Sequence, residues 1–560
     1  MLEPTAAQLG VRDAEELGLL VLAAAGCGKT EALAMRAAGL LGREQVASPR
    51  KLLVATFTNR ARDNIRERLR SHVRPGDLRD RVTVQNFHGL AARLYRAHAN
   101  VVQVDPDRPL PERDWVTDQC KTRGLSYSLT DSVQKALRVA KQEPRDDAAV
   151  LAALADDPLA LEIEKARQAQ DLLTYDDLLR YAELILANEA VADLYRNHFA
   201  AVLVDEFQDL TPQQLRIMQG IGYGRTTYAG DLGQGIYGFT GAAPEQVKAS
   251  IEAQVARSIV LAESHRSSPA VLAMVNTLAR VTGGQQVTCA RPASWPGDGV
   301  AARLSFATAA EEAQTVLATA GQILIEAPGQ RVAIIARTKL RRRFADTAAA
   351  VATDLASYRW DDPIFDTETA PLLRRALGRV TVQGFEHAKD ETAYLHEAAQ
   401  VGAVQDPDTR EFLVDALAWA ADLLRDGHTP EAITARVTVG DGDTLLTRPG
   451  VHLLTGHVGK GQQFDWVFII GLEEGCLPDF RAKSPPELAE EMRVLSVMIS
   501  RGRHGVVLST AQQVPDRNGR IWWRDPSQFL SPFDGLDECR DRSRLRQWLS
   551  SADWKAITNR

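Results

Sequence analysis

At 560 residues the chain exceeds what one hydrophobic core supports, so several domains are expected. Hydrophobic residues make up 45% and charged residues 25%, a balance that excludes a disordered or fibrous chain. The net charge of −7 argues against a uniformly basic coat for nucleic acid but leaves room for a basic groove inside an acidic shell.

In chain order, Met1-Leu2-Glu3-Pro4 offers no cationic stretch leading into an apolar core, so no signal peptide is expected. The apolar run Leu19 to Ala25 is far too short to span a membrane. Within it, Leu19–Leu22 reads as a buried strand, followed by Ala23-Ala24-Ala25-Gly26-Cys27-Gly28-Lys29-Thr30 and a helical run. Further strands are expected at Leu52–Thr56, Ala201–Val204, Thr226–Ala229, Val332–Ile335, Val451–Leu454, Val467–Ile470 and Val506–Ser509. With helical patterns between them, these make an α/β chain of repeated βα units. Two stretches break the rhythm. Residues 105–172 look helical, polar and rich in Asp and Arg, and 360–446 contain helical segments such as Thr409–Arg425 and Pro430–Val437. Both read as insertions into the α/β frame. The five cysteines, Cys27, Cys120, Cys289, Cys476 and Cys539, are scattered and form no CxxC pair. Neither a disulfide framework nor a zinc or iron–sulfur site is supported, and a reducing cytoplasm is the expected setting.

Two patterns carry chemistry. In the loop after the first strand, Gly26 and Gly28 let backbone N–H groups turn toward a phosphate. The next helix adds its N-terminal dipole, Lys29 a charge for the β/γ oxygens, and Thr30 a hydroxyl for Mg²⁺. The strict phosphate-loop pattern wants Gly where Ala23 stands. The strand Ala201–Val204 runs directly into Asp205-Glu206-Phe207-Gln208-Asp209. Acids at the carboxyl end of a buried strand lie where α/β sheets bind ligands, so Asp205 suits a Mg²⁺ shell and Glu206 the polarisation of an attacking water. Together the two patterns point to NTP hydrolysis.

At Asp205-Glu206-Phe207-Gln208-Asp209 the chain resembles the UvrD/Rep/PcrA family of superfamily 1 DNA helicases, and the likeness covers most of the chain outside the two insertions, with the family's motifs in order. Gln8, 21 residues before Lys29, is similar to the family's adenine-reading Q motif, and the family's own phosphate loop also begins with Ala. Thr56-Phe57-Thr58-Asn59 resembles motif Ia, and Asn86-Phe87-His88-Gly89 resembles the TFHG segment with Asn for Thr. The run from Gly230-Asp231 through Gln234 and Tyr237 to Phe239 resembles motif III, and Glu263-Ser264-His265-Arg266-Ser267 resembles motif IV. Thr455-Gly456-His457-Val458-Gly459-Lys460-Gly461 is similar to motif V, Val497 to Arg501 to motif VI, and Pro526 to Leu530 to the closing PSRFL.

The resemblance implies two RecA-like P-loop lobes with two small, mainly helical insertions. Lobe 1A would take 1–104 and 173–270 around insertion 1B at 105–172; lobe 2A would take 271–359 and 447–560 around insertion 2B at 360–446. It implies ATP and Mg²⁺ as cofactors and an ATP-dependent single-stranded DNA translocase or 3′→5′ helicase as the activity. Lys29, Glu206, Gln234, Arg266 and Arg501 become the catalytic set, with both arginines reaching the γ-phosphate. Gln8, Ala25, Gly26, Cys27, Gly28, Lys29, Thr30, Glu31, His265 and Gln463 would hold the nucleotide, and Thr30 and Asp205 the metal. Phe57, Asn59, Phe87, His88, Tyr237, Phe239, Thr455 and His457 would meet DNA, the rings by stacking on bases. A lone aromatic in an apolar setting such as Phe57 or Phe87 is more often core, so Tyr237, Phe239 and His88, with polar or Gly neighbours, rank higher as stacking residues. The basic run from Arg337 to Arg343 reads equally as a phosphate track or a solvated helical face.

Three positions depart from the family. Glu31 stands where an Arg commonly stacks on adenine, His265 where a Tyr does, and Gln463 where a Glu meets the ribose. The expected partners are single-stranded DNA and its junctions with duplex, with no membrane. A separate nuclease chain belongs to the alternative reading, a DNA-stimulated regulatory ATPase of a phage-defence complex resembling the compact UvrD-like subunit of Gabija-type systems.

Overall fold

A computed structural model describes residues 3–111, 115–352, 354–440, 444–516, 518–534 and 542–559. The chain divides into two compact units. The first comprises Met1–Arg266 and Ala279–Ala290, the second Ser267–Leu278 and Arg291–Arg560.

The first unit is built on six strands: β1 (Leu19–Ala23), β2 (Lys51–Thr56), β3 (Val82–Asn86), β4 (Phe199–Asp205), β5 (Thr226–Gly230) and β6 (Arg257–Leu261). They lie in the order β3-β2-β4-β5-β1-β6, and every pairing is parallel. Parallel strands are covered on both faces, and every residue of β4 is buried. Because all six run the same way, one edge of the sheet collects every strand's carboxyl end. The loops after β1, β2, β3, β4 and β5 therefore converge there, although residues 23 and 239 are far apart in sequence.

Local signals place the helices that follow. Helix α1 (Ala6–Asp13) opens with a reciprocal Thr5/Gln8 capping box, and α2 (Lys29–Gly42) starts at Gly28, whose φ of 74° a side chain would resist. Thr58 caps α3 (Asn59–His72), and Asn86 caps α4 (Phe87–His98) through a 2.6 Å bond from the Gly89 N–H. The expected helical stretch from 105 contains Trp115–Thr122, Tyr127–Lys141, Asp147–Ala153 and Pro158–Ala169, packed on a small apolar cluster around Cys120, Leu137, Val150 and Ile163.

In the second unit the strands are β7 (Val300–Thr308), β8 (Arg331–Ala336), β9 (Ser357–Arg359), β10 (Gly450–Thr455), β11 (Phe464–Ile469), β12 (Gly502–Pro515) and β13 (Ile521–Trp523). They form one sheet in the order β9-β10-β8-β11-β12-β13, and β7 also pairs with β12. All pairings are parallel except the β12–β13 hairpin. Residues 360–446 contribute the helices Thr369–Leu377, Val382–Glu386, Glu391–Ala399, Pro407–Arg425 and Pro430–Arg436, with their own core around Leu373, Phe385, Leu413, Leu417 and Ile433. All eight strands expected from sequence are present. The strands β3, β6, β7, β9 and β13 were not anticipated, because exposed or polar positions dilute the apolar run in the first three and the last two are three residues long and not buried. Parallel sheets flanked by helices in both units fit two RecA-like lobes. Among the described residues, no helix is long and apolar enough to cross a membrane.

Candidate active site

The phosphate loop leaves β1 at Ala23 and needs two left-handed backbone positions, Gly26 at φ 84° and Gly28 at φ 74°. Both glycines are also pinned by neighbours. A Cβ on Gly26 would lie 2.5 Å from Arg266 Cβ and 2.7 Å from Ser264 Oγ, and one on Gly28 would lie 2.3 Å from Gln8 Nε2. The loop is thus clasped from two sides, by the Ser264–Arg266 segment and by Gln8. The His265 N–H donates to Gly26 O at 3.2 Å. Gln8 is buried; its Nε2 donates to Cys27 O at 3.3 Å and Gly28 O at 3.4 Å, while its Oε1 accepts the Thr5 N–H at 3.0 Å. Burial pushes the Cys27 thiol up to about 12, so it remains protonated and packs as a small apolar group.

Lys29 points at the end of β4. Its Nζ lies 3.7 Å from Asp205 Oδ1 and forms a close ion pair with Glu206 Oε2. Burial alone would lower the Lys29 pKa; the charges of Glu206 and then Asp205 outweigh it, and the net shift is upward. Burial pushes Asp205 up to about 6, partly offset by Lys29, while the adjoining Glu206 charge raises it further. Glu206 itself adopts a left-handed conformation, φ 58° and ψ 49°, rare for a residue with a side chain. That twist turns its carboxylate back toward Lys29.

The site extends through a residue to which the sequence reading gave no role. Gln208 is fully buried; its Nε2 donates to Glu206 Oε2, and its Oε1 accepts the Asp231 N–H at 3.0 Å. Asp231 in turn accepts from the Gly233 N–H at 3.0 Å and from Gln234 Nε2 at 2.9 Å. Burial raises the Asp231 pKa, with the Gln234 bond opposing it. A hydrogen-bonded chain therefore runs from Glu206 to Gln234 across the ends of β4 and β5. Gln208 and Asp231 were visible inside two acidic motifs, but only the chain's folding shows them to be partners.

Three residues after Gln234, the Tyr237 ring stacks on Phe57 with centroids 5.5 Å apart and planes at 23°. Asn59 accepts from Asn86 Nδ2 at 2.6 Å, so the Asn that replaces Thr caps α4 and braces the neighbouring loop. The His88 ring meets Tyr175 edge-on at 5.7 Å, and burial lowers its pKa. Phe87 requires a correction: it is 2% exposed within the apolar core of the first unit, so its ring has no face for a base. Phe239 was also expected to stack, but its side chain lies outside the described residues.

Glu31, at the place of the family's adenine-stacking Arg, accepts from His72 Nε2 at 2.5 Å and lies 3.8 Å from Arg68, both on α3. Burial lowers the Arg266 pKa, opposed by the Cys27 and Glu206 charges. Ala25 and Thr30 complete the loop as half-buried positions.

In the second unit the expected residues are placed differently. Arg501 is 2% exposed and donates to Val458 O and Gly456 O, each at 2.7 Å, so motif VI grips the motif V loop. Thr455 ends β10, His457 Nδ1 lies 3.3 Å from Arg337 Nη1, and Gln463 O accepts from Arg331 at 2.9 Å. Most of the basic run is paired internally. Arg337 pairs with Glu491, Lys339 and Arg342 with Asp361, and Arg341 with Glu312 and Glu473, so these charges are neutralised within the unit.

Comparison with known proteins places the chain among helicases. A family model described as the UvrD/REP helicase N-terminal domain matches residues 5–253, and one described as the UvrD-like helicase C-terminal domain matches 433–513. The chain is 28% identical to the ATP-dependent DNA helicase UvrD2 of Mycobacterium tuberculosis, over 91% of this chain and 79% of that protein. It is 26% identical to DNA helicase II of Escherichia coli, over 95% of this chain and 87% of the relative. With the ATP-dependent DNA helicase PcrA of Staphylococcus epidermidis it shares 22% identity, over 96% of this chain and 90% of that protein. With both family models matched in order and the phosphate loop, acidic strand end and motif III joined in one site, the chain belongs to the UvrD/Rep/PcrA-type helicases.

Proposed function

We propose that this chain is an ATP-dependent DNA helicase that moves 3′→5′ along single strands, with hydrolysis coupled to opening and closing of its two RecA-like lobes. The observation that carries this reading is the hydrogen-bonded path from Glu206 through Gln208 to Asp231 and Gln234, three residues before an aromatic pair. A change at the hydrolytic carboxylate is thereby tied to the segment that holds Tyr237.

The residues present fit ATP and Mg²⁺. A side chain at Gly26 or Gly28 would fill the cradle, and Asp205 is a buried acid raised to about 6, which a nearby cation would keep ionised. Among the described residues no cluster of three His, Cys, Asp or Glu could hold a metal alone. Thr30 and Asp205 would therefore hold Mg²⁺ jointly with phosphate oxygens, as Mg²⁺ sites commonly do. The metal supplies charge neutralisation at the β/γ oxygens. Lys29 leaves Glu206 to meet phosphate, which frees Glu206 to orient and deprotonate the attacking water. Arg266 packs against Gly26 of the loop, Gln234 is held by Asp231, and Arg501 would supply a second transition-state cation on releasing the Gly456 and Val458 carbonyls. Tyr237, Phe57 and His88 offer rings for bases, a sequence-tolerant interaction of about 1–3 kcal/mol per base.

The 360–446 insertion is short for the family, and its acids Asp361 and Asp362 are held in ion pairs with Arg342 and Arg436 while Arg374, Arg375, Arg379 and Arg410 add cations, so its small size carries the reading. Duplex separation by the chain alone is accordingly weak and is improved by a partner protein. Streptavidin displacement from biotinylated oligonucleotides tests direction, and unwinding of a 3′-tailed duplex tests strength. Release of streptavidin only from 3′ ends would reverse the polarity, and efficient unwinding of a long duplex would remove the need for a partner.

A further inference from the structure

The first unit has a second cavity, at the edge of its sheet opposite to the nucleotide loop. It is lined by Lys51, the first residue of β2, and Phe199, the first residue of β4, together with Arg93 from α4 and Leu194, Tyr195 and His198 from the helix that leads into β4. In a parallel sheet these strand starts lie at the edge away from Asp205. The seven residues of β4 separate the two places by roughly 20 Å at about 3.3 Å per residue. A ligand here would not compete with a phosphate at Lys29.

The chemistry of the walls is one-sided. No lining residue is acidic, whereas Lys51 and Arg93 bring two charges. Among the described residues neither of these side chains forms an ion pair, unlike the neighbouring Arg79, which holds Asp80 at 2.8 Å. Other cations crowd the same edge: Arg50 and Arg225 both donate to Phe199 O, at 3.2 Å each. The field reaches His198, whose pKa is lowered by burial first and then by Lys51 and Arg93. The apolar part is aromatic. His198 and Phe199 meet edge-on at 4.6 Å, Tyr195 and Phe199 lie 6.5 Å apart, and Leu194 stands on the rim with 56% of its surface exposed. The cavity volume of about 550 Å³ falls within the range of small-ligand sites.

We infer that this cavity is a second binding site for a small aromatic anion, in which a flat ring packs against Tyr195 and His198 over a floor formed by buried Phe199 while its acidic group meets Lys51 and Arg93. An aliphatic anion would leave the rings unstacked, and a neutral aromatic would leave two cations without a counter-charge. The inference stands on this geometry and is independent of the proposed helicase activity. The acidic group can be a phosphate, as on a nucleoside monophosphate, or a carboxylate.

The test uses the full chain and 1-anilinonaphthalene-8-sulfonate, an aromatic sulfonate that fluoresces when bound. Wild-type protein should show a saturable component that Lys51→Ala/Arg93→Ala weakens by about tenfold or more, since a hydrogen bond to a charged group is worth about 1.5–3 kcal/mol. Arg93 is exposed, so Arg93→Glu should keep the wild-type melting temperature and still lose that component, which separates binding from folding. Displacement of the component by thymidine monophosphate identifies a phosphate as the acidic group, and displacement by N-acetyltryptophan identifies a carboxylate. Retention of the full signal in Arg93→Glu, or failure of both competitors, would overturn the assignment.

Discussion

In the first unit Lys29 makes a close ion pair with Glu206 and lies 3.7 Å from Asp205, whereas in the second unit Arg341 sits between Glu312 and Glu473 with both carboxylates bonded to it. The two clusters have the same composition, one cation and two acids, on similar parallel sheets. Their backbones and surroundings differ. Around Lys29, Gly26, Gly28 and Glu206 all take left-handed conformations, and Asp205 is raised to about 6. Around Arg341, the Ala511 N–H, the Gly471 N–H and the Ser509 hydroxyl supply further donors to the two acids, and Arg341 is held well above its usual range, by the Glu312 and Glu473 charges against burial. Burial raises Glu312 as well, and Gly471 beside Arg341 is also left-handed, so what sets the Lys29 cluster apart is Glu206, a left-handed residue that carries a side chain: such a strained carboxylate awaits a ligand, while a cluster without one holds a fold together.

That contrast is sharpest in activity. Lys29→Ala and Glu206→Gln should each lower ATP turnover by about a thousandfold or more, on the scale of lost transition-state charge stabilisation. Glu206→Gln should still bind ATP, because Lys29 grips phosphate and Glu206 acts on water. A phosphate-release assay beside nucleotide binding reads both, and near wild-type turnover in either variant would remove the site.

The second unit should respond in stability instead. Arg341→Ala leaves two buried carboxylates without their cation and should cost about 3–5 kcal/mol, read as a fall in the denaturation midpoint. Lys339→Ala, on a side chain 69% exposed, should cost less than about 1 kcal/mol although it belongs to the same basic run. Equal losses from the two would erase the distinction drawn between them.

A smaller effect concerns DNA. Tyr237→Ala should weaken single-stranded DNA stimulation of the ATPase by the equivalent of about 1–3 kcal/mol in apparent affinity at a fixed salt concentration, while Phe87→Leu should leave that affinity unchanged. Blunt duplex should stimulate little in either case, and equal stimulation by duplex would count against stacking as the mode of contact.

The smallest effect tests Asp205 itself. Its pKa lies at about 6 in the folded protein, above the usual carboxylate value, so the folded state favours the protonated acid. Stability is therefore unimpaired below about pH 4 and declines as pH rises through about 6, the reverse of an ordinary salt-bridged acid. Asp205→Asn should remove that decline and stabilise the nucleotide-free protein by about 1–2 kcal/mol at pH 7 while abolishing hydrolysis. Thermal melts of both proteins across pH 4–8 measure it, and an unchanged pH dependence would place the burden of burial on another group.

The sequence by itself determined the eight apolar strands, the phosphate loop and the acidic strand end, because these depend on short-range patterns. Buried parallel strands need continuous β-branched and aliphatic runs, and a phosphate cradle needs glycines beside Lys29 and Thr30. Tertiary structure alone decided which members of those patterns act together. Phe57 and Phe87 are both aromatics in a motif after a strand, yet one stacks on Tyr237 and the other fills the core, since α4 turns Phe87 inward. The basic run from Arg337 to Arg343 is cationic in sequence, but its Arg337, Lys339, Arg341 and Arg342 meet acids in the fold, because Glu312, Asp361, Glu473 and Glu491 come from distant segments. Gln208 reaches Asp231 only because β4 and β5 are adjacent and parallel, which brings both strand ends to one edge. Pattern is carried by neighbours in the chain, whereas compensation of charge and access to solvent are set by neighbours in space.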